Sequence, residues 1–241
     1  CAAKNSTLES KRDTNNNCAG GVAGYASGSA SKPVSITQVH NACEVSVKGS
    51  SYGSYAGGIL GYAGTAIYIE NCSNSGSVSG IQKGVGGIAG SAKAVKGCYN
   101  TGTVSGAVSV AGIAGIGSTD KIENCYNTGY IIGTNFVAGI AAASNAVAIP
   151  AINCYNTGTI EIVGSLTAKD DIVASVGGVV ENCYTTGQKE DSSYGLGQCV
   201  SAEDMRSLAD ELGDAYACNL HADYHQGTPV LAWELDTDAW K

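Results

Sequence analysis

Ten cysteines among 241 residues are the first candidates for chemistry, because a thiol can form a bridge, ligate a metal or act as a nucleophile. Their spacing narrows the choice. Cys72, Cys98, Cys125, Cys154 and Cys183 sit in copies of one phrase, NCSNSG, GCYNTG, NCYNTG, NCYNTG and NCYTTG, at intervals of 26, 27, 29 and 29 residues. A looser copy, ACEVSVKG from Ala42, places Cys43 another 29 residues upstream. One thiol per repeat lacks the paired CxxC spacing of a zinc site, so no metal is expected. Thiols stacked on in-register parallel strands project side by side, far from the roughly ±90° torsion of a disulfide. Cys43, Cys72, Cys98, Cys125, Cys154 and Cys183 therefore read as one structural column of buried thiols acting as small hydrophobes. Cys199 and Cys218 flank a predicted helix, where a disulfide and two free thiols are equal alternatives. Cys18 is left over, and Cys1 is open to three readings: bridged to Cys18, a partial column member, or lipidated.

A second column is aromatic. Tyr99, Tyr126, Tyr155 and Tyr184 each follow a column cysteine, and alternation along a strand turns them away from it, toward solvent. An exposed aromatic strip can stack on sugar rings or bury into a protein partner, so these four are the candidate ligand-binding residues. Mutual stacking that stiffens the coil is their plainer use. Catalytic candidates are sparse. Asp170-Asp171 is the best acidic cluster of the repeats and reads as solvated loop carboxylates rather than a hydrolytic pair or calcium site. His221 and His225 have the i, i+4 spacing of a zinc helix, but HADYH lacks the Glu of HExxH. No GxSxG elbow or glycine-lysine phosphate loop is present. No catalytic residue, metal or cofactor is assigned, and the chain is expected not to be an enzyme.

The elements that carry these columns follow from the period. A second phrase advances with the cysteines, GGILG at Gly57, GGIAG at Gly86, AGIAG at Ala111 and AGIAA at Ala138. Between the phrases lie short apolar runs such as VSG, bounded by Asn, Gly, Ser and Thr, which read as strands and turns. The unit is too short for a propeller blade of roughly 40 residues and lacks leucine-rich periodicity. A parallel β-solenoid remains, with about three strands and three corners per turn and coils about 4.8 Å apart. Right-handedness is expected from the strand-crossover preference. The columns are chemically consistent: Asn74, Asn100, Asn127 and Asn156 give way to Thr185, and Gly76, Gly102, Gly129, Gly158 and Gly187 follow two residues later. Asn is expected to hydrogen-bond along the stack, and Gly to supply a positive φ at a corner. Val78, Val104, Ile131 and Ile160 form an interior column.

Residues 202 to 213 are expected to form one helix, capped by Ser201 and ended by Gly213, with Met205, Leu208, Ala209 and Leu212 on its apolar stripe. With a strand from Val230 to Trp233, it is expected to lie over the last coil and block end-to-end pairing. The fold class is thus all-β, a right-handed parallel β-helix with a small helix-plus-strand C-terminal cap. The repeat domain is expected over 1–198 and the capping unit over 199–241.

The phrases GGIAG and NCYNTGTVSG resemble the GLUG-type repeats of bacterial surface proteins, over about residues 18 to 190. MRSLADELGDAYACNL followed by YHQGTPVLAWE resembles the short C-terminal unit often found after such arrays, with Gln226-Gly227-Thr228-Pro229 in place of the usual Asn-Gly-Tyr-Pro. The resemblance implies a β-helical stalk on a bacterial surface and carries over no enzymatic residues. A cell-surface or secreted location is expected. Cys1 is compatible with lipid anchoring, although a fragment cut from a longer surface protein is the favoured reading.

Composition limits the partners. A net charge of -8 with Arg12 and Arg206 as the sole arginines leaves no basic face for nucleic acid. No stretch approaches the roughly 18 apolar residues of a membrane-spanning helix. The expected partner is a host or bacterial surface glycan or protein, bound by a non-catalytic, adhesin-like scaffold. The alternatives are a carbohydrate-active β-helix, a lyase or hydrolase whose acids converge in space, and a filament subunit that stacks end to end.

Overall fold

The computed structural model describes residues 2–10, 17–48, 53–81, 83–116, 121–143, 148–164, 167–187, 192–219 and 223–235. They form a parallel β-solenoid of about five turns, built from three six-stranded sheets and one larger sheet. Each turn carries more strands than expected. In the coil of Cys125 they are Ile122–Glu123, Tyr126–Asn127, Ile131–Gly133, Phe136–Ala138 and Ala141–Ala142. Strand His40–Val47 pairs with both Ser73–Asn74 and Val78–Gly80, so two short strands of later coils correspond to one longer strand here.

The asparagine column causes the bend between those two strands. Nδ2 of Asn41, Asn74, Asn100 and Asn127 donates to Oδ1 of the next asparagine at 2.7, 2.8, 2.8 and 2.8 Å. Each Nδ2 also donates to the carbonyl two residues on, such as Gly102 O at 2.8 Å from Asn100, which draws the chain around its own side chain. The ladder is buried, with Asn74, Asn100 and Asn127 at 0% exposure, so its amides find partners within the stack.

The glycine that follows serves another purpose than expected. Gly76, Gly102, Gly129 and Gly158 do not take positive φ; a Cβ there would lie 2.0 to 2.2 Å from a carbonyl oxygen of the preceding coil. The left-handed corner falls instead just before each cysteine, at Asn71, Gly97, Asn124, Asn153 and Asn182, where φ is 51 to 58°. Asn tolerates that region because its short amide hydrogen-bonds locally.

Inside the coils, Ile59, Ile88, Ile113, Ile140 and Ile172 are all fully buried beside the thiols. A second cluster holds Val45, Val78, Val104 and Ile131. At about 1.5–3 kcal/mol per buried aliphatic side chain, these columns supply the main force that holds coil on coil.

The thiol column begins one repeat later than expected. His40 pairs with Ser73 and Asn41 with Asn74, so Val39 occupies the thiol rung and Cys43 stands against Gly76. Cys43 is buried but belongs to a different column. The remaining five are buried free thiols, and each S–H donates to the carbonyl two residues earlier at 3.2 to 3.3 Å. Burial pushes the thiols of Cys98, Cys125 and Cys154 well above the ordinary range, which makes them poor nucleophiles. Cys199, which ends the strand Gln198–Cys199, and Cys218, which follows the strand Tyr216–Ala217, are exposed free thiols, and no bridge joins them. Cys1 lies outside the described residues.

The C-terminal segment departs from expectation in shape and place. Two helical turns, Ala202–Met205 and Ala209–Leu212, replace one helix, because the chain tightens between them and Arg206 N bonds Glu203 O. Ser201 caps the first, accepting from Asp204 N at 3.0 Å, and Gly213 ends the second. Tyr216–Ala217 pairs antiparallel with Val230–Leu231, and the chain then turns helical over Ala232–Leu235. This unit lies along the flank of the solenoid rather than over its end. Trp233 Nε1 donates to Gly97 O at 2.9 Å, three coils before that of Cys183, while Met205 and Leu212 pack with Tyr155 and Tyr184 in one buried cluster.

The last coil is covered by the preceding segment. Gln198–Cys199 pairs with Tyr184–Thr185, Ser193 N donates to Lys169 O at 2.6 Å, and Leu196 packs on the interior cluster. Asp170 fastens this segment. Its carboxylate accepts from Ile172 N, Val173 N, Ser192 Oγ and Leu196 N at 2.7 to 3.3 Å. Asp170 and Asp171 are therefore buried, at 0% and 7% exposure, and are not solvated loop acids.

Candidate functional site

Register places His40, Ser73, Tyr99, Tyr126, Tyr155, Tyr184 and Gln198 in one column on the outer side of the coil. The tyrosine rings stack as the coil spacing requires. Tyr99 and Tyr126 lie 4.9 Å apart and Tyr126 and Tyr155 4.8 Å apart, within 3° of parallel. Their predicted exposure is a correction: Tyr126 and Tyr155 are at 0% and Tyr99 and Tyr184 at 7%. The column faces away from the cysteines, yet the C-terminal unit covers it. The strip is the floor on which that unit docks, and it is not an open binding face.

Polar tips fix the docking. Tyr126 OH donates to the Glu234 carboxylate at 2.9 and 3.0 Å, Tyr224 OH to Glu234 at 3.2 Å, and Leu231 N to the same group at 2.7 Å. Tyr155 OH donates to Pro229 O, and Tyr216 OH to Asn153 O at 3.0 Å. Burial pushes the Glu234 carboxyl up to about 7 and holds the His225 imidazole down to about 4. Glu234 Oε2 and His225 Nε2 are 3.8 Å apart, but desolvation favours the neutral form of each.

Where the tyrosines stop, a groove of about 660 Å³ opens between the solenoid flank and the C-terminal unit. Its floor carries Ser73, Ser75, Thr101 and Asn71, with His40 at one end and Tyr99 at the other. Tyr224, His225 and Trp233 form the facing wall. Trp233 extends the tyrosine stack, offset by 5.8 Å from Tyr99 at 28°. His40 is held by two serines, with Nδ1 2.8 Å from Ser73 Oγ and Nε2 3.2 Å from Ser75 Oγ. Among the described residues lining the groove there is no Asp, Glu, Lys or Arg.

The sequence reading missed this groove. Ser73 lies in NCSNSG, the one phrase whose cysteine is not followed by Tyr, and that interruption is the available signal. His40 was hidden because the cysteine spacing points to Cys43 for the thiol rung, which Val39 occupies. Of the histidine pair, His225 lines the groove and His221 lies outside the described residues. Among the described residues, no cluster of His, Cys, Asp and Glu is arranged to hold a metal ion, and no helix is long and apolar enough to cross a membrane.

No family model matches the chain, and no curated protein matches it. It is similar to the solved structure of a "putative immunoglobulin A1 protease" from Bacteroides ovatus, with a TM-score of 0.62 and 21% identity over 96% of this chain and 75% of that one. At that identity the likeness establishes the shared β-solenoid fold.

Proposed function

We propose that the chain is the non-catalytic β-solenoid scaffold of an extracellular bacterial surface protein of the GLUG-repeat type, and that it binds a surface glycan or protein through the groove beside Trp233. The observation that carries this reading is the groove itself, a concave site with aromatic walls and a hydroxyl-lined floor, backed by stacked coils. Rigid strands on one side and a docked unit on the other set its geometry before any ligand arrives. The test is binding of the purified chain to glycan and protein arrays, compared with Ser75→Arg. Ser75 is exposed at the rim, so a long side chain there fills the groove and leaves the core intact. Loss of more than about tenfold in affinity is expected, and array signals equal for both proteins would refute the groove as the binding site.

One contact favours a second reading. Ser73 Oγ lies 2.8 Å from His40 Nδ1, the geometry of a nucleophile and its base, and the structural neighbour's name is that of a protease. Against it, the second nitrogen of His40 meets the Ser75 hydroxyl, and Ser73 is only 3% exposed. Peptide or glycoside hydrolysis that Ser73→Ala abolishes would establish this reading in place of the first.

A further inference from the structure

We infer that the first coil of the solenoid is an interface, and that it pairs face to face with the first coil of a second copy of this chain. Uncovered columns, uncharged strand edges, a blocked opposite end and a sufficient area point the same way.

Val22 N donates to Ile59 O at 3.0 Å, and the same bond recurs from Ile59 to Ile88, Ile88 to Ile113, Ile113 to Ile140 and Ile140 to Ile172, which puts all six residues at one phase of the coil. The five isoleucines are at 0% exposure, whereas Val22 is at 49%. Tyr25 likewise stacks on Tyr62, with ring centres 5.8 Å apart and planes within 7°, and is 61% exposed. Ala23 and Val34 pair with Leu60 and Ile67, and are part-exposed where those two are buried. The apolar columns of the solenoid therefore run out into an uncovered face at its first coil.

Cys18–Gly20, Ala23–Ala26 and Val34–Thr37 are the outermost strands of their sheets, each with a partner strand on one side only. Charged side chains, prolines or a covering segment normally keep such edges from pairing with another chain. These three strands contain no Asp, Glu, Lys, Arg or Pro. At the other end of the same sheets the outermost strands are Ala168–Asp170, Val173–Ala174 and Gly178–Glu181. They carry Lys169, Asp170 and Glu181, and the segment of Ser193 and Leu196 lies on them. One end is protected as a terminus, and the other is left able to pair.

Geometry and area suit a second copy. A two-fold axis normal to the coil axis sets the two first coils against each other with their strands antiparallel, an arrangement in which edge strands hydrogen-bond. Stacking on another copy's last coil is blocked by the segment of Leu196, so the assembly closes at two instead of growing into a filament. At protein packing density a coil of 26 to 29 residues rising about 4.8 Å has a cross-section of about 700 Å². Two such faces bury about 1,400 Å² on contact, the size of a standard specific interface.

The test is sedimentation equilibrium of the full chain from about 1 to about 100 μM, with small-angle scattering of the same samples. A monomer–dimer equilibrium with Kd of about 10 μM or tighter is expected, and the dimer should be elongated along the coil axis. Val22→Lys and Tyr25→Lys should each weaken it by about tenfold or more, with melting temperatures nearly unchanged because both side chains are exposed. Val179→Lys, at an exposed valine on an outermost strand of the other end, should leave the dimer intact. A chain that stays monomeric at about 100 μM overturns the pairing and leaves a coil of another polypeptide as the occupant of the face. A dimer that both Val22→Lys and Tyr25→Lys leave intact overturns it too, because the contact then lies elsewhere. Species that keep growing with concentration would mean that the last coil also associates, against a closed pair. Val22 and Tyr25 do not line the groove, so this outcome and that of the array comparison are separate.

Discussion

Asn127 shows how much a single side chain carries in a stacked fold. Its Oδ1 accepts from Asn100, and its Nδ2 donates to Asn156 and to Gly129 O, all of them buried. Asn127→Ala would strand a donor on Asn100 and acceptors on Asn156 and Gly129, so a loss of about 2–4 kcal/mol is expected in chemical denaturation. A change below about 0.5 kcal/mol would mean that water replaces the ladder at no cost. The phrase NCYNTG predicts the ladder from sequence. It does not reveal that the glycine closing the phrase is there for a carbonyl of the coil below, which is a contact between residues 26 to 29 apart in the chain.

The C-terminal unit is held at the scale of elements by a buried acid and a buried imidazole whose titrations oppose each other. Glu234 has its pKa raised from 4.5 to about 7 by burial, so its contribution to docking is full below about pH 4.5 and is lost as pH rises through 7. His225 has its pKa lowered from 6.5 to about 4, so its contribution is full above about pH 6.5 and is lost as pH falls through 4. Each swing is on the order of 3 kcal/mol, and the slopes cancel between about pH 4.5 and 6.5. Docking of the wild-type unit is therefore nearly flat in that interval. Glu234→Gln removes one side of the balance, and the variant should undock progressively on acidification from pH 6.5 to 4. Exchange of the Trp233 indole N–H, which donates to Gly97 O across the docked face, reads the equilibrium. An identical pH profile for both proteins would show that the two groups do not set it.

A solenoid distributes stability along an axis, since each coil touches only its neighbours. Its ends are accordingly the weak points. Here the last coil is closed by Leu196 and by the Asp170 carboxylate that fastens the segment carrying it. Leu196→Asp sets a charge on the apolar end of the coil. Exchange should rise at Val173–Ala174 and Gly178–Glu181, with the coils around Cys98 and Cys125 still protected. Uniform loss of protection would mean that the coils unfold as one unit, and no loss would mean that Leu196 closes nothing.

The repeated phrases of the sequence determine the solenoid, because a column needs only the identity of residues at one phase, and NCYNTG and GGIAG declare that identity directly. They also determine that the cysteines are interior and that Val78, Val104 and Ile131 share a column. Register at the first coil could not be read. His40–Val47 carries a cysteine at the wrong phase, and only strand pairing shows that Val39 takes the thiol rung. The fate of the tyrosine column was equally hidden. Alternation turns Tyr99, Tyr126, Tyr155 and Tyr184 outward, but whether outward means solvent depends on where the chain beyond residue 200 comes to rest. The C-terminal unit chooses the flank because stacked phenol rings offer it apolar area and hydroxyls together, and the true end is already occupied by Leu196. The groove exists for the same reason. It is the gap left where a covering element continues past the last tyrosine onto Ser73 and His40, and such a gap between two distant segments is decided by tertiary packing alone.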